Sequence, residues 1–157
     1  MTNLIRILVS LSLIALLAGC GSIKLSAPAV NLNEYPYRYN EFDYNYIWKT
    51  SSTDKGLVVE GFVKNVRYAY IDSVDINLKV IDKDGNVFVK ASDFPMPQES
   101  REGELCSFRM LLKNFKLTPG NIFHFQMNYA GDDGSRSGTK WSSSFKVDAM
   151  TGKVAKQ

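Results

Sequence analysis

The chain has 157 residues, a length that suits a single domain, and a formal net charge of +3 at pH 7. Its 19 basic and 16 acidic residues are interspersed along the chain, without a block of Lys or Arg. Because phosphate backbones are bound by Lys and Arg clustered on one face, this composition argues against a nucleic-acid partner.

The first 19 residues have the three parts of a secretory signal peptide. Arg6 supplies a positive charge, an apolar run follows over residues 7–17, and the small pair Ala18-Gly19 ends it. A helix that spans a bilayer needs about 20 mostly apolar residues, and this run is shorter. We therefore predict a cleaved signal peptide over residues 1–19 rather than a membrane span.

The four residues at the end of this run, Leu17-Ala18-Gly19-Cys20, resemble the lipobox of bacterial lipoproteins. The resemblance implies that a signal peptidase cuts before Cys20, whose thiol then carries a diacylglycerol and whose new amino group is acylated. Two or more acyl chains anchor a protein stably, so Cys20 is the predicted lipidation site and the predicted attachment to the membrane. The alternative is a buried cysteine that happens to follow a signal peptide.

The same resemblance implies a location in the cell envelope. In enteric bacteria an aspartate after the lipidated cysteine retains a lipoprotein in the inner membrane, and here Gly21 occupies that position. The outer membrane is therefore favoured, with the domain facing the periplasm or the cell surface. Because this sorting rule varies between bacterial lineages, the choice between the two membranes stays open.

Composition divides the remainder of the chain into three segments. Residues 20–33 are small and polar and have no sustained period, which predicts a flexible tether. Residues 34–150 are predicted to form the folded domain, and residues 151–157 a C-terminal tail. With Cys20 lipidated, only Cys106 remains for a disulfide. We expect a buried, inert thiol at Cys106, with an intermolecular disulfide as the alternative.

Past residue 40 the apolar side chains recur at every second position, which is the period of a half-buried strand. About seven such segments and no convincing helix predict an all-β fold, an immunoglobulin-like β-sandwich of two sheets. The side chains predicted to face inward include Phe42, Tyr44, Tyr46 and Trp48 in the first segment, Val74, Ile76, Leu78 and Val80 in a central one, and Trp141, Phe145 and Val147 in the last.

Two Asp-Gly segments and one proline-rich segment separate these strands. Residues 82–86 predict a hairpin turn in which a glycine supplies a positive φ, and residues 131–135 predict a second turn. Pro95 and Pro97 cannot donate to a ladder, so residues 92–103 are interpreted as a crossing between the two sheets.

Three motifs follow one another in the strand region: Glu60-Gly61-Phe62-Val63-Lys64-Asn65, Asp82-Lys83-Asp84-Gly85 and Gly103-Glu104-Leu105-Cys106-Ser107-Phe108. With these motifs, residues 58–88 resemble the start of the FxLYD-type domain and its relatives among bacterial immunoglobulin-like lipoprotein domains. The resemblance implies the immunoglobulin-like fold and almost nothing about a ligand. A clear strand is missing before Gly103, which leaves the order of the middle strands open.

No combination of residues predicts a metal, cofactor or catalytic site. Asp82, Asp84 and Asn86 reproduce the first half of a calcium loop, but the sixth position, which must be glycine, is valine. His124 alternates with phenylalanines and is predicted to lie on a solvated face, where it makes a poor zinc pair with Cys106. Neither a catalytic base with a positioned partner nor a nucleophile motif is evident.

Residues 34–48 hold seven aromatic side chains. Tyr35, Tyr37 and Tyr39 precede a break in the alternation, so we predict that they are exposed and contact a partner, which is another envelope protein or a glycan. The alternative is that this arm lies along the sheet as an extra edge strand.

These observations predict a non-catalytic binding or assembly module at a membrane surface. The alternative is a hydrolase or carbohydrate-active enzyme of the envelope, which requires two carboxylates that face a cleft. A structural spacer within a larger complex is a third interpretation, and it differs from the first only in its partner.

Overall fold

A computed structural model describes residues 30–67, 69–132 and 138–155, and the chain divides into two units, residues 1–31 and residues 32–157. The predicted signal peptide, Cys20 and most of the predicted tether lie outside the described residues. Within those residues the one helical element is a 3-10 turn, Leu32–Glu34, and no helix is long and apolar enough to cross a membrane.

The domain is a sandwich of two antiparallel sheets with four strands each, which confirms the all-β, immunoglobulin-like prediction. Sheet A contains, in spatial order, β1 (Tyr37–Asn40), β2 (Tyr44–Thr53), β3 (Gly56–Asn65) and β6 (Leu105–Lys113). Sheet B contains β5 (Val87–Asp93), β4 (Tyr70–Ile81), β7 (Ile122–Asp132) and β8 (Thr139–Asp148). The described residues thus form eight strands rather than about seven, because the tyrosine arm supplies β1.

The predicted crossing is confirmed, since β5 belongs to sheet B and β6 to sheet A, but it begins after Asp93 rather than at residue 92, because Ser92 and Asp93 still pair with β4. Among the described residues no further strand lies between β5, the predicted second strand of the hairpin, and β6; β5 is the edge strand beside β4. The predicted hairpin at residues 82–86 is also confirmed, because β4 and β5 pair antiparallel across it. For the second predicted turn, β7 ends at Asp132 and residues 133–137 lie outside the described part of the chain.

The hairpin turn is closed by one carboxylate. Asp82 Oδ1 accepts hydrogen bonds from the backbone N–H groups of Asp84 and Asn86, at 2.8 and 2.9 Å, and Asp82 Oδ2 accepts one from Asn86 Nδ2 at 2.8 Å. These hydrogen bonds, led by those from Asn86, hold the pKa of the Asp82 carboxyl below its usual value. The carboxylate therefore has a structural role in the turn.

The core lies between the inner faces of the two sheets, where the alternating residues meet. Trp48 is 1% exposed and stands opposite Gly61 of β3 in the register. A Cβ at position 61 would lie 2.0 Å from the carbonyl oxygen of Ile47 and 2.7 Å from Trp48 Cα, so only glycine fits beside this tryptophan. Cys106 is fully buried, as predicted, and burial raises the pKa of its thiol.

Two side chains that were predicted to face inward are exposed. Phe42 is 76% exposed because it lies in the bend between β1 and β2, where the Arg67 guanidinium lies 3.3 Å from its ring centroid. Trp141 is 55% exposed, although it has the same phase as the buried Phe145 and Val147. Trp141 lies near the start of the edge strand β8. Its position in the alternation therefore predicts which face of the sheet it lies on, but not whether another side chain covers it there.

Candidate functional site

Tyr37 and Tyr39 do not form the exposed surface that was predicted for them. Both lie in β1, which pairs with β2, and both are half-buried, so the alternative of an extra edge strand is the one observed. The Tyr39 ring stacks on Phe145 with 3.8 Å between centroids. The Tyr37 ring lies 5.6 Å from that of Trp48, and its hydroxyl donates to the Met150 carbonyl at 2.9 Å. The Tyr37 and Tyr39 rings therefore pack against core residues instead of standing in solvent.

Tyr35 has a different environment, on the outer face of sheet A. Its ring meets the Phe62 ring edge-on, with 5.1 Å between centroids, and Lys49 Nζ lies 4.6 Å from the Tyr35 centroid. The side chain of Phe62 projects from β3 away from the core and is half-buried. Of the three predicted contact residues, Tyr35 lines a groove that is open to solvent.

That groove has a volume of about 340 Å³ and lies on the outer face of sheet A. Tyr35 and Phe62 lie on one side, and Phe94 and Met96 come from the crossing between the sheets. Phe94 is 66% exposed and Met96 62%, so two large apolar side chains stand in solvent beside two half-buried aromatic rings. We name this feature the aromatic groove. Its polar lining residues are Glu60, Asp93, Ser107 and Arg109.

Backbone hydrogen bonds hold the crossing against the edge of β6. Met96 N–H donates to the Ser107 carbonyl at 2.9 Å, and Ser107 N–H donates to the Met96 carbonyl at 2.7 Å. Next along the strand, Arg109 N–H donates to Asp93 Oδ2 at 2.7 Å. The exposed side chains of Phe94 and Met96 are therefore carried by a backbone that is fixed to the sheet.

The charges in the aromatic groove are paired. The Glu60 carboxylate accepts a hydrogen bond from the Arg109 guanidinium and forms a close ion pair with it. Glu60 Oε1 also lies 3.4 Å from Lys49 Nζ. Glu60 and Asp93 are two carboxylates in one groove, the arrangement that a hydrolase requires. Both carboxylates already have partners. Asp93 accepts a hydrogen bond from the backbone N–H of Arg109, and Glu60 forms ion pairs with Lys49 and Arg109.

The other residues considered from sequence lie elsewhere. His124 is half-buried on the outer face of sheet B, with Lys79 and Lys146 as its register neighbours. Burial first, and then these two lysines, lower the pKa of the His124 imidazole. Among the described residues no three His, Cys, Asp or Glu side chains come close enough to hold a metal ion.

Phe62, Phe94 and Met96 were not identified as site residues from the sequence. The signal was present in the segment Phe94-Pro95-Met96-Pro97, because two prolines keep this segment out of a sheet interior, where its apolar side chains would be covered. That segment was interpreted only as a connection.

Neither a protein-family model nor a curated protein sequence matches this chain. Among solved structures, the chain is similar to a β-glucuronidase from glycoside hydrolase family 2, with 11% identity and a TM-score of 0.33 over 70% of this chain and 11% of that one. It is also similar to the GAE domain of GGA2p from Saccharomyces cerevisiae, with 11% identity and a TM-score of 0.37 over 70% and 95% of the two chains. A calcium-binding mutant of Bacteroides uniformis β-glucuronidase 2 shows 15% identity and a TM-score of 0.32, over 66% of this chain and 13% of the enzyme. At these TM-scores the likenesses carry no functional argument.

Proposed function

We propose that this protein is a lipid-anchored envelope lipoprotein whose sandwich is a non-catalytic binding module, with the aromatic groove as its contact site. The observation that carries the proposal is the exposure of Phe94 and Met96 beside Tyr35 and Phe62. Clusters of exposed apolar side chains mark contact surfaces, and aromatic residues, Met and Arg are enriched at protein interfaces. The proposed partner is another envelope protein that inserts an apolar side chain into the aromatic groove. Arg109 of this chain also lines the groove.

A crosslinking experiment tests the aromatic groove. A photoreactive amino acid at position 94 should give a discrete protein adduct in intact cells, and Met96→Ser should reduce its yield because the change removes apolar contact area. The same photoreactive amino acid at position 87 is the matched control, since Val87 is 54% exposed but lies on sheet B. Met96→Ser should leave the unfolding midpoint nearly unchanged, because Met96 is exposed. Equal adducts at positions 94 and 87 would contradict the proposed contact site.

The anchor is tested separately at Cys20. The Leu17-Ala18-Gly19-Cys20 motif supports acylation there, so mass spectrometry of the native protein should show a diacylglycerol on an N-terminal Cys20. Cys20→Ser should abolish acylation and block normal processing of the precursor. Cys106→Ser is the matched control and should leave acylation intact, because that thiol is buried in the core. An unmodified native chain that begins at another residue would refute the anchor.

The hydrolase remains the second candidate because Glu60 and Asp93 share the aromatic groove. An enzyme would need one of the two as an acid and the other as a base or nucleophile, free of their present partners. Hydrolysis of chromogenic glycosides or esters by the purified chain, abolished by Glu60→Gln, would favour the enzyme over the binding module.

A further inference from the structure

Four basic side chains form one row across the outer face of sheet B. In the register Lys79 stands opposite Lys90 on one side and opposite His124 on the other, and His124 stands opposite Lys146. The row therefore crosses all four strands of the sheet. Because neighbouring strands lie about 4.8 Å apart, it spans about 14 Å.

This row does not stabilise the fold. Lys79 and Lys90 place like charges directly opposite each other on neighbouring strands, which is destabilising. Lys79 and Lys146 flank the His124 imidazole. Among the described residues, no carboxylate lies within ion-pair distance of Lys79, Lys90 or Lys146. The next row along the strands is uncharged and consists of Ser92, Asn77, Gln126 and Ser144.

Two carboxylates on the same face accept hydrogen bonds from other residues. Asp75 accepts hydrogen bonds from the side-chain amides of Asn77 and Asn128, at 2.8 and 3.1 Å. Asp148, at the end of β8, accepts from the backbone N–H groups of Met150 and Thr151, at 3.1 and 2.8 Å. Neither carboxylate forms an ion pair with a lysine of the row.

An exposed aromatic side chain lies near one end of the row. Phe88 lies on β5 two residues before Lys90, at the irregularity in the pairing with β4; it is 58% exposed, and Lys90 is exposed as well. An aromatic ring beside basic side chains is the combination that suits the interface between lipid headgroups and water, where the ring contacts the acyl boundary and the bases contact phosphates. We name Phe88, Lys90, Lys79, His124 and Lys146 together the basic face.

We propose that the basic face docks on the anionic phosphate headgroups of the membrane that holds the lipid anchor. This inference rests on the proposed anchoring at Cys20. A few exposed bases bind such a surface weakly by themselves, but an anchor and a short tether keep the domain at a high effective concentration beside the membrane. The aromatic groove, which lies on the outer face of sheet A, belongs to the opposite sheet and does not take part in this contact.

His124 is a direct probe of this contact because it is the only histidine in the chain. The native acylated protein is reconstituted in nanodiscs of phosphatidylcholine alone and in nanodiscs that contain one-third phosphatidylglycerol, and the pKa of His124 is measured by NMR at low salt. An anionic surface within a Debye length favours the imidazolium, so we expect a pKa about half a unit higher in the anionic discs. The difference should disappear at high salt.

Variants that lack the lysine charges test whether the row causes the pKa difference between the two kinds of disc. Replacing Lys79, Lys90 and Lys146 by Gln should reduce the pKa difference between the two kinds of disc to less than half its original size. The matched control replaces Lys55, Lys113 and Lys116 by Gln, which removes the same charge from exposed positions outside sheet B, and should leave the difference unchanged.

Two outcomes would overturn the docking proposal. One is that the His124 pKa is equal in both kinds of disc, measured on protein that mass spectrometry has shown to be acylated. That result would refute the docking and leave the proposed anchor intact. The other is a pKa that rises in neutral discs on addition of dextran sulfate but not in anionic discs, which would assign the row to a soluble polyanion. A chain that carries no acyl group refutes the anchor and is recognised independently by its mass.

Discussion

Trp48→Ala is expected to lower the free energy of unfolding by about 3 to 5 kcal/mol, the range for a large aromatic side chain removed from a core. Trp48 is 1% exposed, and its ring lies 5.3 Å from that of Phe125 and 5.6 Å from that of Tyr37. The cavity would open between the two sheets, where Gly61 offers no side chain to fill it. Urea unfolding followed by far-ultraviolet circular dichroism measures the loss.

The second tryptophan of the chain provides the matched control. Trp141 is 55% exposed at the edge strand β8, so Trp141→Ala should change the free energy of unfolding by less than about 1 kcal/mol. The fluorescence of the two variants separates them further, because the buried Trp48 should emit at shorter wavelength than Trp141. Similar losses in both variants would mean that Trp48 does not lie at the centre of the core.

The strands were predictable because apolar and polar residues alternate along the chain with a period of two. Ile76, Leu78 and Val80 alternate with polar residues in the sequence, and all three are fully buried. A strand places successive side chains on opposite faces, so an uninterrupted alternation fixes both the element and its buried face. The crossing was predictable for the complementary reason, since Pro95 and Pro97 cannot donate to a ladder, and only Met96 between them pairs with Ser107 as an isolated bridge.

The sequence pattern does not state what covers a face. Phe42 continues the phase of Tyr44 but lies in a bend, and Trp141 continues the phase of Phe145 but lies near the start of an edge strand, so both are exposed. Conversely, Tyr39 is half-buried because Phe145, from a strand more than 100 residues later in the chain, lies against it. Alternation is local, whereas cover depends on contacts distant in sequence.

The candidate sites depended on the register, which no local pattern supplies. The aromatic groove joins Tyr35, Phe62 and Phe94 from three separate segments. The row on sheet B exists only because Lys79, His124 and Lys146 are aligned across three strands, and a slip of one residue in one strand would turn its side chain to the other face. The strands could be predicted individually, but their alignment could not.

The double variant Tyr37→Ala and Tyr39→Ala is expected to lower the free energy of unfolding by about 3 kcal/mol, against the small effect that exposed tyrosines would give. Tyr39 stacks on Phe145 across the edge of the sandwich, and Tyr37 packs beside Trp48. Aromatic pairs stabilise beyond their buried area, and removing two half-buried rings exposes the aromatic centre of the core. Chemical denaturation of the double variant measures the loss.

Two single variants separate packing from hydrogen bonding and from the partner surface. Tyr37→Phe removes only the hydrogen bond to the Met150 carbonyl and should cost about 0.5 to 1.5 kcal/mol. Tyr35→Ala should cost about 1 kcal/mol or less, because Tyr35 borders the aromatic groove on the outer face, and should instead weaken crosslinking from position 94. If the double variant were as stable as the native protein and β1 amides exchanged rapidly with solvent, the arm would not be a strand of the sandwich. Tyr37 and Tyr39 would then again be candidates for partner contact, together with Tyr35.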